Sequence, residues 1–200
     1  MPGSDIADTV LSRIRDVPDY PTPGILFKDI TPLLADPVVF AAVVEALAAP
    51  FRDGSGPAGP GGATTGDLPE GPAGRVAGVD VVVGIEARGF ILGAPVAVAL
   101  GVGFVPVRKR GKLPHRTVGA AYALEYGTAE IEIHADAIRP GQRVAVIDDV
   151  LATGGTASAT CDLVERVGGQ VLGLGVLLEL GFLDGRSRLA GRDIRSLATV

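Results

Sequence analysis

The 200-residue sequence predicts a single α/β domain with a mainly parallel, twisted sheet flanked by helices. Two observations support this prediction. Apolar runs of strand length alternate with helical patterns along the chain, which indicates parallel strands joined by right-handed crossovers. Hydrophobic residues make up 47% of the sequence but aromatic residues only 4%, so Val, Ala, Leu and Ile must pack the core, as in buried parallel strands. A chain of this length can bury a substantial core.

The net charge and the single cysteine of the chain exclude or disfavour several classes of function. The formal net charge is −5, which disfavours general attraction to nucleic acid or to an anionic membrane surface. The single cysteine, Cys161, excludes an internal disulfide and a cysteine-rich metal site. The sequence has neither a long apolar span nor a secretory signal pattern, so we expect a cytoplasmic protein without nucleic-acid or membrane partners.

The first fifty residues predict two helices joined by an extended segment. Within residues 5–16, apolar side chains recur at helical spacing at Ile6, Val10, Leu11 and Ile14. Three prolines then force an extended path up to Gly24. Asp36 fits an N-cap and Pro37 the first helical position, so the second helix should run from there to about Phe51.

Residues 54–74 have a different composition. Gly, Pro, Ala and Thr dominate this stretch, and large apolar side chains are few. Such a segment cannot bury enough surface to offset the entropy lost on ordering. We therefore predict a mobile surface insertion inside one domain that spans residues 1–200, and an inert loop is the simplest interpretation of it.

From residue 79 onward, strands alternate with helices. Continuous apolar runs predict buried strands, and the alternation of Ile131 and Ile133 with polar residues predicts a half-exposed one. The strands are expected at 79–85, 104–107, 130–134, 143–150 and 171–178, and the helices at 90–100 and 157–167. The interval 108–127 is basic and then polar, with several Gly and Pro breakers. Beyond about residue 181 the sequence predicts no element.

The segment 143–156 is the most informative run in the chain. A strand of Val and Ile ends in two adjacent carboxylates, Asp148 and Asp149, and a turn of small residues over 152–156 leads into a helix. Ligands bind at the carboxyl ends of parallel strands, and the N–H groups of such a turn can surround an anion at the helix N-terminus. Carboxylates beside a phosphate cradle suit a sugar phosphate, because the acids can accept hydrogen bonds from ribose hydroxyls.

This segment resembles the 5-phosphoribosyl-1-pyrophosphate (PRPP) signature of the type I phosphoribosyltransferases. The family pattern is an apolar strand, two acids and a loop similar to Thr153-Gly154-Gly155-Thr156. A strand that merely ends in a polar turn is the alternative. The resemblance implies the core of that family, with a small N-terminal hood over residues 1–35 and a flexible lid loop over residues 108–121.

Two groups of cations lie near predicted strand ends. Residues 108–116 concentrate Arg and Lys in a loop broken by Gly and Pro, directly after a predicted core strand. Arg88 lies in a second strand-to-helix turn beside Gly89, which lets the backbone approach a ligand closely. Cations in these places could surround and neutralise a pyrophosphate. The alternatives are a solvated face for the basic run and a pair between Arg88 and Glu86.

Four other segments sharpen the resemblance to the adenine phosphoribosyltransferases. Residues 23–34 are similar to the amino-terminal base-binding segment of that family, and the other three segments are 86–90, 108–114 and 124–127. All four precede the PRPP signature in the family's order. The resemblance covers about residues 5–180, and only the 54–74 insertion departs from the usual compact spacing.

The resemblance implies a role for each matching residue. Phe27 would stack on the purine, although it could instead belong to the core alone, and the backbone of Leu26 and Lys28 would contact the purine edge. Glu125 would be the acid/base residue beside the purine, with a surface carboxylate as the alternative. The implied catalytic residues are Glu125, Arg88 and Lys109, and the implied substrate-binding residues are Leu26, Phe27, Lys28, Arg88, Arg108, Lys109, Lys112, Tyr126, Asp148, Asp149, Ala152, Thr153, Gly154, Gly155 and Thr156.

The resemblance also implies a reaction, a cofactor and an assembly. Adenine and PRPP would give AMP and pyrophosphate, with Mg²⁺ held mainly by PRPP and water and with help from Asp148 and Asp149. The family is typically dimeric, so we expect a homodimer. Two rival hypotheses remain at this point: a phosphoribosyltransferase for a different base, and a regulator that binds PRPP without chemistry. The acidic charge balance disfavours the regulator.

Overall fold

The computed structural model describes residues 6–52, 78–123 and 128–200. Short 3₁₀ turns occupy Ala49–Phe51, Gly181–Leu183 and Gly185–Leu189. The described helices are α1 (Ile6–Arg13), α2 (Thr31–Ala35), α3 (Pro37–Ala48), α4 (Arg88–Leu100) and α5 (Gly155–Arg166). The described strands are β1 (Arg15–Pro18), β2 (Leu26–Asp29), β3 (Val81–Ile85), β4 (Gly103–Lys109), β5 (Thr117–Ala123), β6 (Thr128–His134), β7 (Arg143–Leu151), β8 (Gln170–Glu179) and β9 (Ile194–Thr199).

A seven-stranded sheet in the order β5-β6-β4-β3-β7-β8-β9 forms the centre of the structure. The pairs β4–β3, β3–β7, β7–β8 and β8–β9 are parallel. The pairs β5–β6 and β6–β4 are antiparallel. The predicted α/β class with a mainly parallel sheet is therefore confirmed. Because β3, β4 and β7 are parallel neighbours, their carboxyl ends meet at one edge of the sheet.

Both faces of the sheet are buried, as the continuous apolar runs indicate. Along β7, Ala145 and Ile147 pack on one face with α3 and α4, whereas Val144 and Val146 pack on the other face with α5. All four of these β7 side chains are completely shielded from solvent. The rigid core therefore extends to the residue that precedes Asp148, which fixes where the strand delivers its acids.

The amino-terminal part forms the hood that the resemblance implies. Strands β1 and β2 make a separate antiparallel hairpin, with Val17 opposite Phe27. The predicted cap of α3 is confirmed, because the Asp36 carboxylate accepts hydrogen bonds from the N–H groups of Val38 and Val39. The hairpin carries Phe27 toward the carboxyl edge of the sheet, where it lines a cleft with residues of β3 and β7.

Several elements differ from the predictions. The segment predicted as a lid loop, 108–121, is not a loop throughout: it starts at the end of β4 and finishes inside β5. The sequence also predicted nothing beyond residue 181, where β9 pairs with β8. The strands β5 and β9, which the sequence did not predict, belong to the seven-stranded sheet and depend on distant partners rather than on a local apolar run. The hairpin strands β1 and β2 were also not predicted. Helix α5 begins at Gly155, two residues before the predicted start.

The predicted insertion, 54–74, lies outside the described residues. Among the helices of the described ranges, none is both long and apolar enough to cross a bilayer.

Candidate active site

A cleft of about 360 Å³ lies at the carboxyl ends of β3, β4 and β7. Six of the residues that the sequence analysis selected line this cleft: Phe27, Arg88, Lys109, Asp148, Asp149 and Thr156. They come from the hood, two strand-to-helix turns and the end of β4, so residues far apart in the sequence converge. This is the edge at which ligands bind in open α/β sheets.

The two acids at the end of β7 are poorly solvated. Burial raises the pKa of Asp148 well above its usual range, and the charge of Asp149 raises it further. Burial also raises the pKa of Asp149, although the Arg88 charge opposes that shift. Asp149 Oδ2 lies 2.8 Å from Arg88 Nε but is not aligned for a hydrogen bond, and it has no other partner among the described residues. A ligand that brings hydroxyl donors or a cation would satisfy these oxygens.

Arg88 connects the acids to the hood. Besides facing Asp149, its guanidinium donates a hydrogen bond to the backbone carbonyl of Lys28 at 3.2 Å. Its central carbon also lies 4.8 Å from the centre of the Phe27 ring, within the range of a cation–π interaction. The alternative pair between Arg88 and Glu86 is wrong, because the Glu86 carboxylate pairs with Arg108. One side chain therefore ties the hood to the sheet.

The helix that carries Arg88 approaches β7 closely. A Cβ atom on Gly89 would lie 2.8 Å from Asp148 Oδ1 and 3.0 Å from the carbonyl oxygen of Ile147. These distances are tighter than side chains normally adopt, so glycine lets the backbone of α4 come this close to β7. The absence of a Cβ brings the N-terminal turn of α4, and with it Arg88, next to the acids.

In the hood, Phe27 is half-buried and packs edge-on against Tyr20, with ring centroids 5.2 Å apart. Leu26 is 50% exposed. The Lys28 ammonium pairs with Asp16 at 2.7 Å, which leaves its backbone carbonyl to Arg88. The alternative in which Phe27 belongs to the core alone does not fit this arrangement, because the ring lines the cleft.

The turn after β7 has the geometry expected of an anion cradle. Gly154 adopts a left-handed conformation with φ of 77°, and α5 begins at the next residue. As at the start of any α-helix, the first N–H groups of α5 have no intrahelical partners. Gly154 and Gly155 are buried, while Ala152, Thr153 and Thr156 are partly exposed. The predicted cradle residues are thus brought together, although only Thr156 lines the cleft itself.

Two carboxylates that the sequence analysis did not select hold the basic segment. Glu86 accepts hydrogen bonds from Arg108 Nε at 3.2 Å and from the Lys109 N–H at 2.9 Å. Burial alone would raise the pKa of Glu86, but the Lys109 N–H and the Arg108 guanidinium together lower it. Arg108 also donates to the carbonyl of Lys112 at 3.0 Å, so the start and the middle of the segment are joined.

The second of these carboxylates is Glu132 on β6, which is only 6% exposed. It accepts hydrogen bonds from the N–H groups of Lys112 and Leu113 at 3.1 and 3.0 Å, and from the Thr117 hydroxyl at 3.1 Å. Burial acts to raise the pKa of Glu132, but these donors lower it overall. No local sequence signal marks this residue, since it follows the polar alternation of a half-exposed strand.

The cations of the basic segment are placed differently from one another. Lys109 lines the cleft, Arg108 is held by Glu86, and Arg110 pairs with Glu130 at 2.6 Å. Lys112 is exposed and is not among the residues that line the cleft. The alternative of a uniformly solvated face therefore fits only part of the run. The predicted residues Glu125 and Tyr126 lie outside the described residues.

Comparison with known proteins agrees with this geometry. The family model of the phosphoribosyl transferase domain matches residues 77–193. The adenine phosphoribosyltransferase of Acidothermus cellulolyticus is 55% identical over 200 residues, which is 100% of each chain. A crystal structure of the Rhodothermus marinus adenine phosphoribosyltransferase has a TM-score of 0.83 and 47% identity, and covers 98% of both chains.

A third relative has been solved with ligands. The Saccharomyces cerevisiae adenine phosphoribosyltransferase, in complex with an imino-altritol bisphosphate and adenine, is 35% identical. Its TM-score is 0.81, with 96% of this chain and 98% of the yeast chain covered. These similarities span the hood as well as the sheet, so they include both sides of the cleft.

Proposed function

The chain belongs to the family of adenine phosphoribosyltransferases, and from this premise we propose that it transfers the 5-phosphoribosyl group of PRPP to adenine. The products are AMP and pyrophosphate, which makes the reaction a step of purine salvage. The observation that carries the proposal is the position of Asp148 and Asp149, which share one cleft with the hood residue Phe27. A sugar-phosphate site and a flat apolar base site therefore face the same space.

The pentose part of PRPP occupies the end of β7 in this proposal. The ribose hydroxyls donate hydrogen bonds to Asp148 and Asp149. Among the described residues, Asp149 Oδ2 has no hydrogen-bond donor, and the Asp148 carboxylate accepts a hydrogen bond from the Asp149 N–H at 2.9 Å. The 5′-phosphate accepts hydrogen bonds from the N–H groups of residues 152–156 and from the hydroxyls of Thr153 and Thr156. Contacts at both ends of the sugar fix where its C1 atom lies.

The purine stacks on Phe27, and the backbone of Leu26 and Lys28 contacts its edge. N9 of adenine attacks C1 of the ribose, the bond from C1 to the pyrophosphate oxygen breaks, and the N9 proton leaves the base. We assign Glu125 as the acid/base residue for the purine, with Tyr126 beside it. Correct alignment of the two reactants can itself supply about 7–11 kcal/mol of the barrier reduction.

The cations act on the leaving group. Negative charge grows on the pyrophosphate as the bond breaks, so fixed positive charges stabilise the transition state more than the ground state. We assign Arg88 and Lys109, which line the cleft, to this role, and Arg108 and Lys112 to the surrounding shell. Movement of residues 110–116, between β4 and β5, over the bound substrates would exclude water, which protects PRPP from hydrolysis.

The acid pair also fits a magnesium ion. Mg²⁺ prefers phosphate oxygens and water to an all-protein cage, and usually takes one or two carboxylates. Asp148 and Asp149 supply two adjacent carboxylates at the end of β7, and the buried Asp149 Oδ2 has no hydrogen-bond partner among the described residues. When bound, Mg²⁺ would neutralise charge on the pyrophosphate.

A cytoplasmic homodimer completes the proposal. Helix α4 exposes Ile91 and Val98, which are seven residues apart and therefore lie on one helix face. Ile91 is 44% exposed and Val98 is 81% exposed. A second copy packed on this face would cover both side chains.

The direct test is an assay of AMP formation from adenine, PRPP and Mg²⁺. We expect AMP and pyrophosphate in equal amounts, and much lower activity with hypoxanthine or guanine. Hypoxanthine and guanine carry a 6-oxo group where adenine has a 6-amino group, so one assay decides which purine class is used. Failure to form a nucleotide from any base would contradict the proposal and favour a PRPP-binding regulator.

A further inference from the structure

We propose that the segment 180–189, between β8 and β9, positions the turn over residues 152–156 (the phosphate loop), with Gly185 as the contact residue and Arg186 as the anchor. This inference rests on the proposed function, because it names what holds the proposed 5′-phosphate cradle in place. The sequence predicted no role for this part of the chain. Gly185 touches no substrate in this account and is therefore a positioning residue rather than a catalytic one.

Gly185 and the phosphate loop meet backbone to backbone. A Cβ atom on Gly185 would overlap the carbonyl oxygen of Ala152, and it would lie 3.1 Å from the backbone nitrogen of Gly154. The contact is reciprocal, because a Cβ atom on Gly154 would overlap the carbonyl oxygen of Gly185. The two chain segments therefore approach as closely as backbone atoms allow. The segment 180–189 packs against the phosphate loop at the residues that precede α5.

An ion pair fixes the segment to the sheet. Arg186 donates two hydrogen bonds to the Glu179 carboxylate, at 2.6 and 2.7 Å, and a third to the carbonyl of Ile194 at 3.1 Å. Ser196 on β9 donates to the same carboxylate at 2.9 Å. Glu179 is 8% exposed, and the Arg186 guanidinium lowers its pKa. A forked pair of this kind is geometrically specific, so it sets where Gly185 lies.

The position of Gly185 affects the binding of phosphate. A phosphate cradle made of N–H groups must hold its donors to within about 0.5 Å of the productive geometry. An added methyl group at Gly185 would displace one of the two segments, because neither backbone can rotate away as a side chain can. If the loop moves, donors to the phosphate misalign, while the base site on the hood is unaffected.

Gly185→Ala tests this directly. The φ of Gly185 is not in the left-handed region, so alanine suits its backbone conformation and only the close contact is disturbed. We expect the Kd for ribose 5-phosphate, measured by titration calorimetry, and the KM for PRPP to rise about tenfold or more. That change corresponds to at least 1.4 kcal/mol. The KM for adenine should stay within about twofold of the wild-type value.

The matched control is Gly181→Ala in the same segment. A Cβ atom there would lie 3.3 Å from a methyl group of Thr199, which can yield, and it would not face the phosphate loop. We expect wild-type constants for this variant. A Gly185→Ala protein with an unchanged Kd for ribose 5-phosphate, or with a lower kcat and an unchanged KM for PRPP, would overturn the inference.

Arg186→Gln provides a second route if Gly185→Ala does not fold. Loss of the two hydrogen bonds from Arg186 to Glu179 should raise the Kd for ribose 5-phosphate severalfold. Arg186→Lys should raise this Kd less, because the positive charge remains. Unchanged binding in Arg186→Gln would overturn the role of the anchor. Failure of the proposed function is distinguishable, since the wild-type protein would then make no AMP whatever the variants do.

Discussion

Two pairs of carboxylates with little solvent exposure, one at the end of β7 and one beside β4, have different environments. Asp148 and Asp149, at the end of β7, have raised pKa values because burial withdraws water without supplying enough donors. Glu86 and Glu132, beside β4, have lowered pKa values because N–H, hydroxyl and guanidinium groups overcome the effect of burial. The first pair can accept further hydrogen bonds or a cation from a ligand. The second pair already accepts hydrogen bonds from the protein and holds the basic segment in place.

This difference separates residues that act on substrate from residues that hold the substrate-binding segments. A buried acid with too few hydrogen-bond donors lowers the stability of the unliganded protein. Bound ribose hydroxyls or a cation can supply the missing partners. A buried acid with several donors stabilises the fold, and its removal leaves those donors unpaired. Amide substitutions in the two pairs should therefore have opposite effects on stability.

The largest effect is expected from Asp148→Asn. Hydrogen bonds to a charged group are each worth about 1.5–3 kcal/mol, so the loss of the charge should lower kcat/KM on the order of 10–100-fold. The same variant should be more stable than the wild type. The raised pKa means that the folded state holds the Asp148 proton more tightly than the unfolded state, so stability falls as the pH rises through that interval.

At neutral pH the raised pKa of Asp148 therefore lowers the stability of the folded state, and Asn removes this effect. We expect the melting temperature to rise, by roughly 2–4 °C for each kcal/mol regained. Steady-state kinetics and thermal denaturation at pH 7.5 measure both effects, with the exposed Asp8→Asn as the control. A less stable Asp148→Asn protein, or one with full activity, would contradict the comparison.

Arg88→Lys comes next, because it tests the link between the acids and the hood. Lysine keeps the charge opposite Asp149 but loses the planar fork that also reaches the Lys28 carbonyl. We expect kcat/KM to fall about tenfold, with KM rising for both adenine and PRPP. If only the KM for PRPP changed, Arg88 would act on the leaving group alone and the link to the hood would be irrelevant.

Glu132→Gln should mainly affect stability and the basic segment. The amide retains an acceptor but loses the charge that three donors share, so the free energy of unfolding at neutral pH should fall by about 1–2 kcal/mol. The KM for PRPP should rise severalfold, since the segment carries Lys109. Glu130→Gln is the matched control on the same strand, because Glu130 is more exposed and pairs with Arg110 at the surface.

The pH dependence of this variant has the opposite sign to that of Asp148. A lowered pKa in the folded state means that Glu132 stabilises the protein above its unfolded value of about 4.5, and this stabilisation disappears as the pH falls through the folded pKa. The difference in unfolding free energy between wild type and Glu132→Gln should therefore shrink toward zero in acid. A difference that is constant from pH 7 to pH 3 would mean that the charge is irrelevant.

The smallest effect is expected at Cys161 on α5, behind the phosphate loop. The thiol is fully buried, and burial raises its pKa to about 11. A thiol reagent at pH 8 should therefore leave the folded protein unmodified and should modify one thiol per chain in denaturant. Rapid modification of the folded protein would show that the helix behind the cradle opens readily, and the cradle could then not be treated as preformed.

The contrast between the regions also explains what the sequence could predict. The acids and the phosphate loop lie in one contiguous run, so strand pattern, carboxylates and small-residue turn can be recognised together. Glu132 and Gly185 could not be identified in that way. Glu132 matters because β6 places it opposite Arg108, and Gly185 matters because its backbone reaches Ala152 from a later part of the chain. Both depend on contacts that only the folded chain creates.

The strands β5 and β9 could not be predicted for the same reason. β5 contains Gly119 and several alanines rather than a strong apolar run, and it is a strand because β6 pairs with it over its whole length. β9 is similarly stabilised by parallel pairing with β8. Local propensity is weak evidence for such strands, since the neighbouring strand supplies most of the stabilisation.

The central claim is that the end of β7 and the turn after it bind a phosphorylated pentose, and a crystal structure with bound AMP tests it most directly. We expect the 5′-phosphate on the N–H groups of residues 152–156, the ribose hydroxyls on Asp148 and Asp149, and the purine against Phe27. A phosphate bound instead on the basic segment, with the turn after β7 empty, would contradict the account.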